Sequence, residues 1–199
     1  MTEVATRPLR ADARRNRERV LTAAREVFAE QGREAQMDDV ARRAMVGVGT
    51  VYRHFPTKEA LIDAIASESF GRLLAAAKEQ LERTDDPWDS FVRTLWAGAE
   101  IMAGDRAISQ IMAETNGPVT VDLEMQRQMV ETMSALMERA QKAGALRPDV
   151  ILDDIPMLMC GVGSANVKPH IYPDAWRRHV AVVIDGLRAT SASGTLPTS

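Results

Sequence analysis

One short segment sets the architecture of this chain: Asp39-Val40-Ala41-Arg42-Arg43-Ala44-Met45-Val46-Gly47-Val48-Gly49-Thr50-Val51-Tyr52-Arg53-His54-Phe55. Its first half has the apolar spacing of a short amphipathic helix, and a tight turn and a second short helix follow at once. Two helices joined by such a turn are typical of a helix-turn-helix, in which the second helix enters the major groove of DNA. The segment therefore predicts a DNA-binding motif.

The predicted second helix has a packed face and an outer face. Val51 and Phe55 are four residues apart, so both side chains lie on one face and are expected to pack on the preceding helices. At about 100° per residue, Gly49 and Arg53 point directly away from that face. The outer face therefore combines little bulk with hydrogen-bond donors, which suits close approach to a duplex.

Side-chain chemistry suggests a role for each outer residue. Arg53 is best placed to read a base edge such as guanine O6 and N7. Thr50, Tyr52 and His54 are predicted to contact phosphates, which fix the position of the protein without reading sequence. An ordinary solvated helical face has the same composition, so these residues taken alone leave both interpretations open.

The wider segment strongly resembles a known family. Gly49-Thr50-Val51-Tyr52-Arg53-His54-Phe55, with Lys58 and Leu61 downstream, is similar to the signature of the tetracycline-repressor (TetR) family of bacterial transcriptional regulators. The resemblance covers roughly residues 14 to 62 and implies that Lys58 contacts a phosphate. The predicted DNA-binding residues are Val48, Gly49, Thr50, Tyr52, Arg53, His54, Lys58, Arg14 and Arg15.

Met45 departs from the family pattern. Members of the family usually have glycine at this turn, because the backbone there tends to need a positive φ. A methionine in that conformation costs about 1–2 kcal/mol. We therefore predict that Met45→Gly stabilises the fold and raises its melting temperature.

The segment before the motif predicts a helix with a basic start. Asp12 is expected to cap a helix from Ala13 to Gln31, and Gly32 is expected to end it. A basic arm can reach phosphates or an adjacent minor groove, but a charge run can equally be a solvated face, and both interpretations stay open. The basic residues are Arg14, Arg15, Arg17 and Arg19.

Length and charge fit a DNA-binding domain attached to a larger one. The chain has 199 residues and a net charge of −3, so the whole molecule is not a nonspecific binder of polyanions. Residues 1–60 contain 12 Lys and Arg against 9 Asp and Glu, whereas residues 61–199 contain 13 against 19. The part with the motif is therefore the basic part.

Other features narrow the class of protein. No apolar run is long enough to span a membrane and no signal-peptide pattern is present, which favours the cytoplasm. His54, His170 and His179 lack metal-ligand spacing, and no phosphate loop or nucleophile elbow occurs. We therefore expect no enzyme activity, metal or cofactor. Cys160 lies among apolar residues and is expected to be a buried thiol rather than a redox sensor.

The remaining sequence predicts an all-α chain of about nine helices. The predicted divisions are a disordered arm (1–10), a helix-turn-helix domain (11–57), a helical ligand-binding and dimerisation bundle (58–189) and a disordered tail (190–199). Behind the three helices of the motif, the predicted helices are 58–83, 88–103, 106–115, 120–143, 151–168 and 174–189.

The last two predicted helices carry the expected dimer interface. Two such helices from each subunit would form a two-fold four-helix bundle, and the dimer would read a palindrome with half-sites about 34–36 Å apart. The alternative is that their apolar residues complete the subunit's own core. These residues are Ile155, Leu158, Met159, Val162, Trp176, Val180, Val183, Ile184 and Leu187.

The resemblance also implies a small-molecule pocket among the middle helices, whose ligand releases the protein from its operator. Methionines suit irregular ligands, although each candidate residue is individually more typical of core or surface. The candidates are Trp96, Met102, Ile111, Met112, Thr115, Met129 and Met133. The sequence thus predicts a homodimeric repressor of a palindromic operator in double-stranded DNA, controlled by an unknown effector. The alternative is a helical dimer that acts through protein contacts with impaired DNA binding.

Overall fold

The computed structural model describes residues 6–83, 86–105, 122–165 and 175–197. Across these ranges the chain is all-α, as predicted, and it contains eight α-helices, two short 3₁₀ turns and no strand. No helix in these ranges is both long and apolar enough to cross a membrane. The helices are α1 (Thr6–Gln31), α2 (Met37–Ala44), α3 (Val48–His54), α4 (Lys58–Glu82), α5 (Pro87–Gly104), α6 (Leu123–Lys142), α7 (Asp154–Ala165) and α8 (Ala175–Leu187).

The chain divides into two compact units, and the division falls inside α4 between Ala66 and Ser67. Among the described residues, the N-terminal unit comprises 6–66, and the C-terminal unit comprises 67–105, 122–165 and 175–197. The sequence placed this boundary at the start of α4, where the motif ends. The predicted helix 106–115 lies outside the described residues.

The first helix begins earlier than the sequence predicts. α1 starts at Thr6, so Asp12 lies inside the helix and forms an ion pair with Arg15, three residues along the same surface. The prediction that Asp12 caps the helix is therefore wrong, and residues 6–10 of the predicted arm are helical. Gly32 does follow the last helical residue with a φ of 57°, a conformation that favours glycine.

Polar side chains cap the first turns of three further helices. The Oγ1 of Thr57 accepts a hydrogen bond from the backbone N–H of Ala60 at 3.1 Å, which caps α4. Asp86 and Asp122 cap α5 and α6 in the same way, through the backbone N–H groups of residues 89 and 124. Gly144, with a φ of 69°, follows the end of α6.

Each unit has its own apolar core. In the N-terminal unit the buried stripe of α1 packs with residues of α2, α3 and α4, namely Val20, Leu21, Ala24, Val27, Phe28, Val40, Ala44, Val51, Phe55, Leu61 and Ile65. In the C-terminal unit one cluster joins α5 to α8 and includes Phe91, Leu95, Leu136, Met137, Leu146, Val162, Trp176, Val180, Ile184 and Leu187.

Two hydrogen bonds connect residues 194 and 196 of the predicted tail to the ion pair of Arg147 and Asp149. The side chain of Arg147 pairs with Asp149 at 2.6 Å and also donates to the carbonyl oxygen of Gly194 at 2.7 Å. The backbone N–H of Leu196 donates to Asp149 at 2.8 Å. The Arg147 guanidinium and this N–H hold the pKa of the Asp149 carboxyl well below its usual range.

Candidate functional site

The turn between α2 and α3 contains a left-handed residue. Met45 follows the last residue of α2 with a φ of 53° and a ψ of 46°, which confirms the positive φ expected from the sequence. The backbone N–H of Val46 donates to the carbonyl oxygen of Ala41 at 3.0 Å, closing the end of the helix. A residue with a Cβ costs about 1–2 kcal/mol in this conformation. The Met45 side chain is 82% exposed, so packing does little to offset that strain.

Two exposed arginines of the basic helix start contact residues that are distant in sequence but lie within the same unit. The Nη2 of Arg19 donates to the carbonyl oxygens of Ala44 and Met45, at 2.6 and 3.2 Å. The guanidinium of Arg17 lies 5.3 Å from the centre of the Phe55 ring, a cation–π contact. These partners lie 25 to 38 residues away along the chain, so helical periodicity does not reveal them, and a DNA contact by Arg17 or Arg19 stays a prediction.

Helix α3 has the two faces that its periodicity predicts. Val51 is fully buried, and Phe55, just after the helix, is 3% exposed. Gly49 and Arg53 lie on the exposed side. Tyr52 is 48% exposed next to them. The helix therefore presents a guanidinium and a phenol to solvent beside a glycine that adds no bulk, a surface suited to a base edge and the adjacent phosphates.

The remaining α3 candidates differ in their access to solvent. Val48, at the first helical position, is 40% exposed and can meet a duplex as an apolar contact. Thr50 is half-buried and its N–H bonds to the carbonyl oxygen of Gly47 at 2.8 Å. His54 is also half-buried, and its Nε2 atom is buried with no hydrogen-bond partner among the described residues. This atom is not positioned to donate to a phosphate, so a phosphate contact by His54 would need its other ring nitrogen.

The candidate phosphate contacts outside α3 have different surroundings. Lys58 opens α4 and is half-buried, with its Nζ 5.7 Å from the centre of the Phe28 ring. This cation–π contact holds the ammonium group of Lys58 near a side chain of α1. Arg14 and Arg15 are exposed on α1, where they pair with Glu18 and Asp12. Such exposed pairs are weak, so a phosphate can replace either carboxylate at little cost.

An ion-pair network fixes α2 against α1, and the sequence did not reveal it. Arg43 donates to Glu30 at 2.7 Å and to Glu26 at 3.0 Å. The hydrogen bond from Arg43 lowers the pKa of Glu30, and the two glutamates raise the pKa of Arg43. The separation in sequence is 13 and 17 residues, so no helical spacing relates these partners.

The predicted ligand residues do not surround a large cavity in the described part of the bundle. Trp96 is half-buried and meets Trp176 edge to face, with ring centres 6.2 Å apart. Met133 is 7% exposed in the core, and Met102 and Met129 are half-buried. The other three candidates, Ile111, Met112 and Thr115, lie outside the described residues. The ligand pocket therefore stays a prediction.

A small apolar cavity lies between α5, α7 and α8. Its volume is about 10 Å³, which is room for about one water molecule and far below the few hundred Å³ of a small-molecule site. Its walls contain most of the residues that the sequence assigned to the dimer interface. The lining residues are Leu95, Ile155, Leu158, Met159, Val162, His179, Val180, Val183, Ile184 and Leu187.

The burial of these residues favours the alternative interpretation, that they complete the core of one subunit. At most 7% of each side chain is exposed for Ile155, Val162, Trp176, Val180, Ile184 and Leu187. Leu158, Met159 and Val183 are half-buried beside them. The outer faces of the same helices carry different apolar residues, Met157 at 67% exposed and Val182 at 73% exposed.

Comparison with protein families finds matches across both units. Residues 20–65 match the model for bacterial regulatory proteins of the tetR family. Residues 83–189, more than half of the chain, match the model for the C-terminal domain of SbtR-like transcriptional regulators. The first match contains the whole of α2 and α3, and the second contains α5 to α8.

Individual relatives agree with these matches. The HTH-type transcriptional regulator UidR from Escherichia coli K12 is 33% identical over 147 residues, which are 71% of this chain and 74% of that protein. The crystal structure of a TetR transcription regulatory protein from Mycobacterium vanbaalenii is 35% identical with a TM-score of 0.57, covering 91% of this chain and 99% of that one. The TetR transcriptional regulator SCO0520 from Streptomyces coelicolor is 28% identical with a TM-score of 0.58, covering 86% and 98%.

Proposed function

Because this chain belongs to the tetR family of bacterial regulatory proteins, we propose that it is a homodimeric repressor that binds a palindromic operator and is released by a small molecule. The family assignment supports transcriptional regulation through a helix-turn-helix. The oligomer, the direction of regulation and the effector are parts of the proposal. An operator on bacterial DNA also implies that the protein acts in the cytoplasm.

The observation that carries the proposal is the outer face of α3. Arg53 is exposed on the side opposite Val51 and Phe55, which anchor the helix in the core, and Tyr52 is exposed beside it. A base-reading arginine must reach the floor of the major groove, and the adjacent Gly49 leaves room for that approach. We assign base recognition to Arg53, and phosphate contacts to Tyr52 and Lys58.

Dimerisation is proposed through the outer faces of α7 and α8. Met157 and Val182 are large apolar side chains left in water by a single subunit. One short recognition helix binds weakly, whereas two related by a two-fold axis read both halves of a palindrome. The two helices are those that the sequence suggested, but we assign the contact to their outer faces, because the apolar residues of their inner faces are buried within one subunit.

Release by a ligand rests on the family and on the soft lining of the bundle. In the described C-terminal unit, half-buried Met102 packs against the core and Met129 is half-buried on α6, and methionine side chains rearrange easily. A ligand of several carbons would have to enlarge the 10 Å³ cavity or open another site. Trp96 and Trp176 report on such a change, because their fluorescence depends on their surroundings.

The test of DNA binding is a titration of the full chain against a duplex pool of random sequence at several salt concentrations. Counterion release predicts that the logarithm of the affinity falls linearly with the logarithm of the salt concentration. The slope steepens by about 0.9 for each phosphate that the protein neutralises. Arg127→Ala, which removes an exposed arginine of α6, should leave the curve unchanged. A curve without salt dependence would favour a dimer that acts through protein contacts.

A further inference from the structure

We propose that Arg19 is a positioning residue for DNA recognition, which holds the Met45 turn in its left-handed form and thereby sets the direction of α3. This inference rests on the proposed DNA-binding function. Arg19 lies on α1, 25 residues before the first carbonyl group that it contacts. Arg19 therefore connects α1 to the turn that leads into α3, the proposed recognition helix.

The turn needs such a contact because it contains the sole non-glycine residue with positive φ in the described parts of the chain. The backbone N–H groups of Met45 and Val46 close the end of α2 by bonding to the carbonyl oxygens of Arg42 and Ala41. Neither bond involves the carbonyl oxygens of Ala44 and Met45. Without a partner from elsewhere, only the local backbone would hold the strained residue in place.

Arg19 supplies that partner. Its Nη2 lies 2.6 Å from the carbonyl oxygen of Ala44 and 3.2 Å from that of Met45, so one guanidinium bridges the last helical residue and the left-handed one. A cation at the C-terminus of a helix also interacts favourably with the helix dipole. The neighbouring Val20 and Leu21 are buried in the core and anchor the backbone from which Arg19 projects.

The geometry connects this contact to recognition. α3 begins at Val48, three residues after Met45, so a change in the dihedral angles of Met45 would rotate the whole of α3 about the turn. Arg53 lies near the far end of this helix, where a small rotation becomes a large displacement of the guanidinium. A base contact requires donors at hydrogen-bond distance, so the specific duplex should lose more affinity than a nonspecific one.

Glycine at residue 45 removes the need for the contact. Glycine adopts the left-handed conformation without the steric penalty of a Cβ, so Met45→Gly should let the turn form without Arg19. The two residues are therefore predicted to be coupled in a double-mutant cycle. A residue that merely adds stability would show the same effect with either residue at position 45.

The experiment compares Arg19→Met, Met45→Gly and the double variant in the full chain, at a temperature well below melting. The measured quantity is the ratio of affinity for the selected operator to affinity for a mixed-sequence duplex. We expect Arg19→Met to lower this ratio about tenfold, and only about twofold when residue 45 is glycine, because the hydrogen bonds lost are charge-assisted. Arg19→Gln, which is less disruptive, serves if Arg19→Met does not fold.

Two control variants separate positioning from charge and from stability. Arg42→Met removes an exposed cation of α2 that pairs with Asp39, close to the turn but with no assigned DNA contact, and should leave the ratio unchanged. Arg139→Met removes a second arginine that caps helix-end carbonyls, those of Leu81 and Arg83, far along the chain in the C-terminal unit. It should lower the melting temperature without changing the ratio.

Equal losses for Arg19→Met in both backgrounds, or a ratio like that of Arg42→Met, would overturn the inference while leaving the proposed function intact. A wild-type chain that binds no duplex would overturn both. Arg19→Met should change the affinity ratio much less when residue 45 is glycine, and Arg139→Met should not change it. That pair of results would establish Arg19 as the positioning residue.

Discussion

The helix pairs α2–α3 and α7–α8 bury one apolar face each and present different chemistry outside. α3 shows Arg53, Tyr52 and Gly49 to solvent, whereas α7 and α8 show Met157 and Val182. An outer face of donors with little bulk suits a polar, anionic partner, and an outer face with large apolar side chains suits a protein surface. Under the proposed function, this difference assigns DNA recognition to one pair of helices and subunit contact to the other.

The sharpest test of this comparison is the inner face of α8. Ile184 is 7% exposed within one subunit, so Ile184→Ala should lower the free energy of unfolding by about 2–5 kcal/mol through the cavity it leaves. Chemical denaturation at two protein concentrations measures the loss. A loss that is the same at both concentrations places Ile184 in the subunit core; a loss confined to low concentration would return it to the dimer interface.

The outer face of α8 should respond differently. Val182→Asp places a charge on the proposed contact and should weaken the dimer by at least about 2 kcal/mol, roughly 30-fold in the dissociation constant. Sedimentation velocity over a concentration series measures the shift from dimer to monomer. Leu123→Asp, at an 81% exposed apolar residue of α6, is the matched control. A similar shift in both variants, or none in Val182→Asp, would break the assignment of the interface.

Lys58 tests the phosphate side of the DNA-binding face. Lys58→Ala should weaken binding to every duplex alike and reduce the slope of log affinity against log salt by about 1, because one phosphate contact is lost. Fluorescence anisotropy with the operator and with a mixed-sequence duplex provides both slopes. If the operator alone loses affinity, Lys58 takes part in sequence recognition and its assigned role is wrong.

Ser90 of the C-terminal unit gives the smallest expected effect, and Ser69, a second buried serine, is its comparison. The Ser90 hydroxyl is buried and has no hydrogen-bond partner among the described residues, so Ser90→Ala should change stability by less than about 1 kcal/mol and can increase it. The Oγ of Ser69 donates to Asp105 at 3.0 Å, so Ser69→Ala should lower the free energy of unfolding by about 1–3 kcal/mol. Thermal unfolding of both variants compares them. Equal losses would mean that Ser90 has a partner in the native state.

The sequence predicted most of the N-terminal unit because its signals are local. The positive φ at Met45 and the two faces of α3 follow from residues within a few positions of one another. The cap of α4 by Thr57 is equally local. Contacts of Arg19 with the turn, and of Arg43 with Glu30, join residues too far apart for any helical period to relate them.

The C-terminal unit was harder because periodicity shows which residues share a face but not which neighbour covers that face. The apolar stripes of α7 and α8 contain Ile155, Val180 and Ile184, and such stripes suit a subunit core and a dimer interface equally well. The burial of these residues favours the core. The ion pair of Arg147 with Asp149 was also not predicted. It hydrogen-bonds to Gly194 and Leu196, which are too far along the chain for a local pattern to indicate the contact.

The central claim, that α3 reads DNA through Arg53, is tested most directly by selecting duplexes from a random library with the wild-type chain and with Arg53→Ala. The wild type should enrich an inverted repeat with half-sites about one helical turn apart. Arg53→Ala should lose about 1–3 kcal/mol and its base preference at one symmetric pair of positions. An unchanged preference profile in Arg53→Ala, or no enrichment by the wild type at low salt, would contradict the account.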